Sequence, residues 1–414
     1  MKKTNNAYVS IFISIFLISI LLFSQTIQAC SGFVVQKDGE VLIGHNKDWW
    51  NPESTIYVYP SEQDKYARLF IEIPFPHPFN NEYRVLAGGI NEKGLSYESF
   101  VTPFNLATFE LFKPPLFKSP VDYILQHYST VDEVINYISS HNLFFLNYIL
   151  SFGQLFVVDS TGDAAIIEGN DIIRIQREYQ VCTNFLQSDP SLGNYPCWRY
   201  QYLVDSLESN PELSISHFKS LLQNVELYAQ YSWILNPNNL TLSLYHFHDY
   251  DHVLHLNLSK EFDQPAHSYD LPSLFEPNDN VPPHKPQIPD GPITGKRRET
   301  LYFETNTIDP DNDIEEIYYK WDFDDGSTPS WVYNYKTNRG STSYTWKKPG
   351  TYNIRVKAKD VYGKESPWSD PLEITITSRI PFFDFFNQCK LSSTSNETCF
   401  ELFTIHQVTL AEQK

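Results

Sequence analysis

Cys30-Ser31-Gly32-Phe33-Val34-Val35, then Lys37-Asp38-Gly39-Glu40, then Val41-Leu42-Ile43-Gly44-His45-Asn46-Lys47-Asp48-Trp49 is the stretch on which this chain turns. Apolar runs flank Asp38-Gly39, a dipeptide suited to the positive φ angles of a two-residue hairpin turn. The predicted hairpin returns residues 44–49 to the side of Cys30. Upstream lie Lys2 and Lys3, an uncharged run over 9–23, and Thr26-Ile27-Gln28-Ala29. That is the anatomy of a cleaved signal peptide, with Ala29 at the cut. The run is short for a membrane span. Cleavage after Ala29 makes Cys30 the first residue, carrying both a thiol and a free α-amine. A thiolate is a nucleophile, and a terminal amine with a pKa of roughly 7.7–8 can serve as its base. The rival reading is a lipid anchor on Cys30, although Ile27-Gln28-Ala29-Cys30 is a poor match to a lipidation signal.

The 414 residues suffice for two or three domains, and 41% hydrophobic with 15% aromatic content supports packed cores. A formal net charge of −19 argues against a nucleic-acid partner. Five cysteines, Cys30, Cys182, Cys197, Cys389 and Cys399, leave one odd thiol. The close pairs 182/197 and 389/399 are disulfide candidates, with Cys30 left over.

Outward from the hairpin, strands are predicted around 68–73, 83–88, 95–100, 154–159, 164–168, 240–246 and 252–258. Helical patterns cover 119–141, 199–207 and 214–222. Strands, a helix pair, strands, helices and strands again suggest α+β layers over residues 30–270. Residues 271–297 hold Pro272, Pro277, Pro282, Pro283, Pro286, Pro289 and Pro292, and read as a semi-rigid linker. Residues 298–377 show short strands at turn-like spacing, an all-β sandwich. Residues 378–414 form a tail with no legible role. Asp309, Asp311 and Asp313 are either a calcium cluster or an ordinary acidic turn.

The C-terminal sandwich resembles the immunoglobulin-like PKD domain. Trp321-Asp322-Phe323-Asp324-Asp325-Gly326 stands for that family's Trp-Asp-Phe-Gly-Asp-Gly. The resemblance implies a spacer or adhesive module, with cell-surface or glycan contact.

An amide hydrolase of the N-terminal-nucleophile kind needs a nucleophile, a base, oxyanion donors and groups that hold the nucleophile. Cys30 and its amine supply the first two. Asp48 is placed to orient the amine, Asn184 to donate to an oxyanion, and Arg199 to favour the thiolate. Taken singly, Asn184 is an ordinary turn residue and Arg199 an ordinary surface charge. Over about 30–265 the chain resembles the linear-amide C–N hydrolases, the penicillin V acylase and choloylglycine hydrolase family. The matching residues are Cys30, Gly44-His45-Asn46-Lys47-Asp48, Asn91-Glu92-Lys93-Gly94-Leu95, Asp159-Ser160-Thr161-Gly162, Glu168, Thr183-Asn184 and Arg199.

The resemblance implies a four-layer αββα domain. It also implies an exported amidase or acylase on a small linear N-acyl amide, with no cofactor and no metal. His45 stands where the family has Arg, and Val101 where the bile-salt enzymes place a second oxyanion partner; both are candidate substrate contacts. His45 is equally readable as a buried core histidine. An acyltransferase with the same residues, or a non-enzymatic surface protein anchored through Cys30, are the alternatives. Phe100, Phe104, Phe144 and Phe145 are as consistent with an acyl pocket as with core packing.

Overall fold

The computed structural model describes residues 30–49, 51–75, 84–102, 110–116, 119–143, 153–192, 195–227, 229–311, 317–327, 331–333 and 337–378. The leader 1–29, the tail after 378 with Cys389 and Cys399, and Phe104, Asp313, Phe144 and Phe145 lie outside the described residues. Two compact units emerge: Met1–Asp279 with Val361–Gly363, and Asn280–Asp360 with Lys364–Lys414. Among the described residues no helix is long and apolar enough to cross a membrane.

The first unit opens with β1 (Ser31–Lys37), β2 (Glu40–Asp48), β3 (Thr55–Tyr59), β4 (Arg68–Pro74), β5 (Arg84–Asn91) and β6 (Ser96–Phe100). Helices α1 (Val121–His127) and α2 (Val131–Ser139) follow, then β7 (Gln154–Val158), β8 (Ala164–Glu168), β9 (Asp171–Arg174) and β10 (Tyr179–Thr183). It closes with α3 (Trp198–Ser209), α4 (Ile215–Val225), β11 (Ala229–Asn236), β12 (Thr241–His246), β13 (Asp249–Asn257), α5 (Leu258–Phe262) and β14 (His267–Asp270). The hairpin turn forms as the dipeptide predicts: Asp38 has φ 53° and Gly39 φ 85°, the two positive angles of a type I′ turn.

Two antiparallel sheets result. One has six strands in the order β10-β1-β2-β11-β12-β13, the other eight in the order β14-β3-β4-β5-β6-β7-β8-β9. One apolar cluster joins their inner faces: Val34, Ile43, Trp233 and Leu244 from the first, Ile56, Leu69, Phe100 and Ile166 from the second. A second cluster packs Val121, Leu125, Val134 and Ile138 of α1 and α2 on the outer face of the eight-stranded sheet. A third packs Leu203, Leu207, Phe218 and Leu222 of α3 and α4 on the outer face of the six-stranded sheet. Each large side chain buried this way contributes roughly 1.5–3 kcal/mol. Thr130 and Glu133 close a capping box at the start of α2, the reciprocal pattern that satisfies two orphan N–H groups.

The Asn91–Leu95 turn is structural. Asn91 Oδ1 accepts from the Lys93 and Leu95 N–H groups, and its Nδ2 donates to the Leu125 and Tyr128 carbonyls near the end of α1. Gly94 has φ +81°, and a Cβ there would lie 2.7 Å from the Pro237 carbonyl oxygen and 2.8 Å from Ser160 Cβ. Gly94→Ala is expected to destabilise this unit by about 2–4 kcal/mol, through backbone strain plus overpacking. Urea unfolding of the full chain checks this; an unchanged midpoint would contradict it.

The second unit contains β15 (Thr294–Lys296), β16 (Leu301–Asn306), β17 (Tyr318–Asp322), β18 (Trp331–Tyr333), β19 (Arg339–Tyr344), β20 (Gly350–Lys359) and β21 (Leu372–Thr377). A five-stranded sheet, β15-β21-β20-β17-β18, and a ribbon, β16-β19, enclose a core of Phe303, Tyr319, Trp321, Phe323, Trp346, Ile354 and Val356. The Trp-Asp-Phe segment works in two directions. Trp321 and Phe323 fill the core, while Asp322 and Asp325 accept backbone N–H groups that shape the turn.

Part of the proline-rich segment, read as a semi-rigid linker, is bonded along the second unit. His284, Gln287 and Asp290 donate backbone N–H groups to Ile308, Asn306 and Glu304, and Glu304 returns one to Asp290. Proline lacks the N–H, but the residues between the prolines keep theirs. The segment therefore lies as an extended edge along β16.

Asp309 is buried and held beside Asp311, which accepts the Val281 N–H. Burial, then the neighbouring Asp311 carboxylate, pushes Asp309 up to about 8; its bond to Asp309 holds Asp311 below its ordinary value. The folded state thus keeps a proton that the unfolded chain releases above roughly pH 4. Stability conferred by this pair falls as pH rises through 4 to 8. Asp309→Asn is expected to stabilise this unit by about 1–2 kcal/mol near pH 8.5 and to change little near pH 4. Thermal unfolding at both pH values is the check, and equal effects at the two would refute the assignment.

Candidate active site

The strand pairings position the predicted residues. Ser31 of β1 faces Asn46 of β2 and Thr183 of β10. Carried one residue further, each register sets Cys30 opposite Lys47 on one side and Asn184 on the other. Opposed residues in antiparallel strands present their side chains to the same face. Cys30 therefore lies at the mouth of a three-strand junction, 3% exposed, against the cluster between the sheets.

Arg199, in the first turn of α3, ties this junction together. Its Nη1 donates to the Cys30 carbonyl at 2.7 Å and to Ser31 Oγ at 2.9 Å; Nη2 donates to Asn184 Oδ1 at 3.4 Å. Asp48 Oδ2 lies 3.8 Å from Nη1, and Asp48 Oδ1 accepts the Leu227 N–H at 3.4 Å. The arginine grips the main chain of the nucleophile rather than its sulfur, so its principal effect is to position. Asn184 Nδ2 donates to the Val101 carbonyl at 2.8 Å. A carboxamide carries two such donors, so a second N–H is left for an oxyanion. Val101 meets Asn184 through its carbonyl, as the acceptor that orients the carboxamide.

Burial pushes the Cys30 thiol up from its ordinary value. Lys47 pulls it down most, the Asp48 carboxylate raises it, and the Asp48 backbone N–H and Arg199 favour the thiolate.

His45 lies deeper than a substrate contact requires. It is fully buried, ringed by Phe100, Tyr231 and Trp233, with Nδ1 3.1 Å from Glu98 Oε1. Burial lowers the imidazole and raises the Glu98 carboxyl. The core-histidine reading describes this environment.

Several residues carried by the resemblance are scaffolding. Asn46 links β2 to α4 and β13, donating to the Leu222 carbonyl and accepting from Tyr250 Oη. Glu168 accepts the Gln187 and Ser188 N–H groups and so fixes the loop after Asn184. Asp159 accepts the Val131 and Thr161 N–H groups. Sequence reasoning passed over Lys47 and Glu98, although Lys47 stands inside the quoted motif.

The 182/197 disulfide does not form; both thiols are free. Cys182 belongs to the cluster between the sheets, where Sγ donates to Gln154 Oε1 at 3.3 Å, while Cys197 is the residue before α3 and makes no side-chain cap bond.

The second unit is an all-β sandwich, and the sequence model of the PKD-domain family matches residues 292–370. The chain thus belongs among proteins that carry a PKD domain. The PKD domain of an M14-like peptidase from the archaeon Thermoplasmatales SCGC AB-540-F20 is 37% identical; the match covers 23% of this chain and 97% of that one, with a TM-score of 0.21. The PKD domain of human SorCS2, a VPS10 domain-containing receptor, is 16% identical over 25% and 83% of the respective chains, with a TM-score of 0.19. A putative membrane-anchored protein of Corynebacterium diphtheriae is 10% identical over 85% and 59%, with a TM-score of 0.21. No curated protein matches the chain.

Proposed function

We propose that the first unit is an exported N-terminal-nucleophile amidase that cleaves the C–N bond of a small linear N-acyl amide through Cys30. The observation that carries this reading is the convergence of Cys30, Asp48, Asn184 and Arg199 at one end of β1, from four separate segments of the chain. Two stacked antiparallel sheets with helix pairs on their outer faces support the αββα assignment. In the mature chain the Cys30 α-amine takes the thiol proton. The thiolate attacks the amide carbon, and Asn184 donates to the developing oxyanion. The α-ammonium protonates the leaving nitrogen as the C–N bond breaks, leaving a thioester. Water, deprotonated by the same amine, attacks the thioester; the C–S bond breaks and the carboxylic acid departs. Asp48 orients the amine. The PKD domain serves as a spacer with a cell-surface or glycan contact, in keeping with a secreted or surface location.

The test is the intact mass and N-terminal sequence of the exported protein, with thiol labelling and a panel of N-acyl amides. A chain beginning at unmodified Cys30 that releases amine from the panel supports the reading. A diacylglyceryl mass on Cys30, or a cut that leaves Cys30 internal, overturns it.

A further inference from the structure

We propose that Lys47 is the positioning cation for the ionised Cys30 sulfur, an inference that rests on the nucleophile reading above. The register sets Lys47 directly across from Cys30, on the face of β2 that looks between the sheets. The opposite sheet confirms that direction, because Lys47 Nζ donates to the Ser99 carbonyl, adjoining Glu98 on β6, at 2.6 Å. Lys47 is 5% exposed. A buried ammonium is costly unless a counter-charge meets it, and a carbonyl oxygen supplies a dipole but no charge.

The groups facing Cys30 narrow the choice of partner. Besides the α-amine of Cys30 itself in the mature chain, they are Lys47 and Asp48 from β2, Arg199 from α3, Cys182 from β10 and Tyr231 from β11. Arg199 is committed to the Cys30 carbonyl, Ser31 and Asn184. Burial pushes both Cys182 and Tyr231 well above their ordinary values. Glu98, near Lys47 in the other sheet, is pushed well above its ordinary value by burial, with Lys47 pulling it back. The Cys30 thiolate is the anion that forms opposite Lys47 when the nucleophile is charged, and Lys47 pulls that thiol down more than Arg199 does.

The test uses the mature full-length chain and reads thiol ionisation rather than turnover. Cys30 alkylation by iodoacetamide is followed by mass spectrometry across pH for the parent, Lys47→Met, Lys47→Gln and Lys47→Arg. The midpoint is expected to rise by a unit or more in the Met and Gln variants, about a tenfold loss of alkylation rate near neutrality, and to be largely restored by Arg. A Cys30 midpoint unmoved in a folded Met or Gln variant overturns the inference and leaves the amidase reading standing. A Cys30 that no pH makes reactive overturns both.

Discussion

Cys30→Ala in the exported, correctly cut chain is expected to lose amide cleavage by about 10⁴-fold or more. Such a loss corresponds to roughly 5–6 kcal/mol of transition-state stabilisation. Alanine keeps the α-amine, the strand pairing of β1 and the grip of Arg199 on the residue-30 carbonyl, because that contact is to main chain. What disappears is the sulfur, and with it the thioester. Cys30→Ser is the sharper probe. It retains an attacking oxygen in the same place, but a hydroxyl is far less ionised than a thiol near neutrality, and an amine of pKa roughly 8 is a poor match for it. The serine variant is expected to keep about 1% of activity or less while binding substrate with little change. Release of amine from the acyl-amide panel and N-terminal mass are measured on the same samples, since a substitution next to Ala29 also alters the cut. Activity surviving in Cys30→Ala would assign Cys30 to structure.

The hairpin was legible because Asp38-Gly39 admits few conformations, and the pairing of 44–48 with β1 followed from it. The strand beyond it was not. Ala229-Gln230-Tyr231-Ser232-Trp233-Ile234-Leu235 is buried on both faces, so it lacks the alternation that marks a half-exposed strand, yet it pairs with β2 along the site. The edge contact of the proline-rich segment was not legible for a related reason. Prolines punctuate a chain, but the N–H groups of His284, Gln287 and Asp290 between them still bind an edge. Spacing also suggested the 182/197 disulfide, but Cys182 lies on β10 bonded to Gln154 and both thiols are free. At the site, individual residues were legible as types, and their division of labour was not. Arg199 read as a cation near the thiol and proves to hold carbonyl, hydroxyl and carboxamide oxygens. Lys47 was given no role, although the two-residue Asp38-Gly39 turn, which pairs 37 with 40, already sets residue 47 opposite residue 30.

Arg199→Met is expected to damage stability and catalysis together. The guanidinium is 5% exposed and meets four groups from three segments: the Cys30 carbonyl, Ser31 Oγ, Asn184 Oδ1 and, at 3.8 Å, Asp48. Methionine roughly matches the stem but leaves these oxygens one donor short each and withdraws the guanidinium 3.8 Å from Asp48. Breaking a buried ion pair from one side costs about 3–5 kcal/mol; the 3.8 Å separation places the expected loss at the lower end, about 3 kcal/mol. The catalytic loss follows from geometry. Asn184 is held from its two ends by Arg199 and the Val101 carbonyl, and Cys30 by the same arginine. With that tie gone, nucleophile and oxyanion donor drift independently, and a displacement of about 1 Å is enough for a 10²-fold fall in kcat. Arg199→Lys should recover charge and part of the stability, but not the planar fork that reaches Ser31 and Asn184 together. It is expected to stay at least about tenfold below the parent in kcat. Denaturant unfolding and the kcat against KM split in the three proteins separate the two effects. If lysine restored kcat fully, Arg199 would act as a point charge, and the positioning role assigned to it would be wrong.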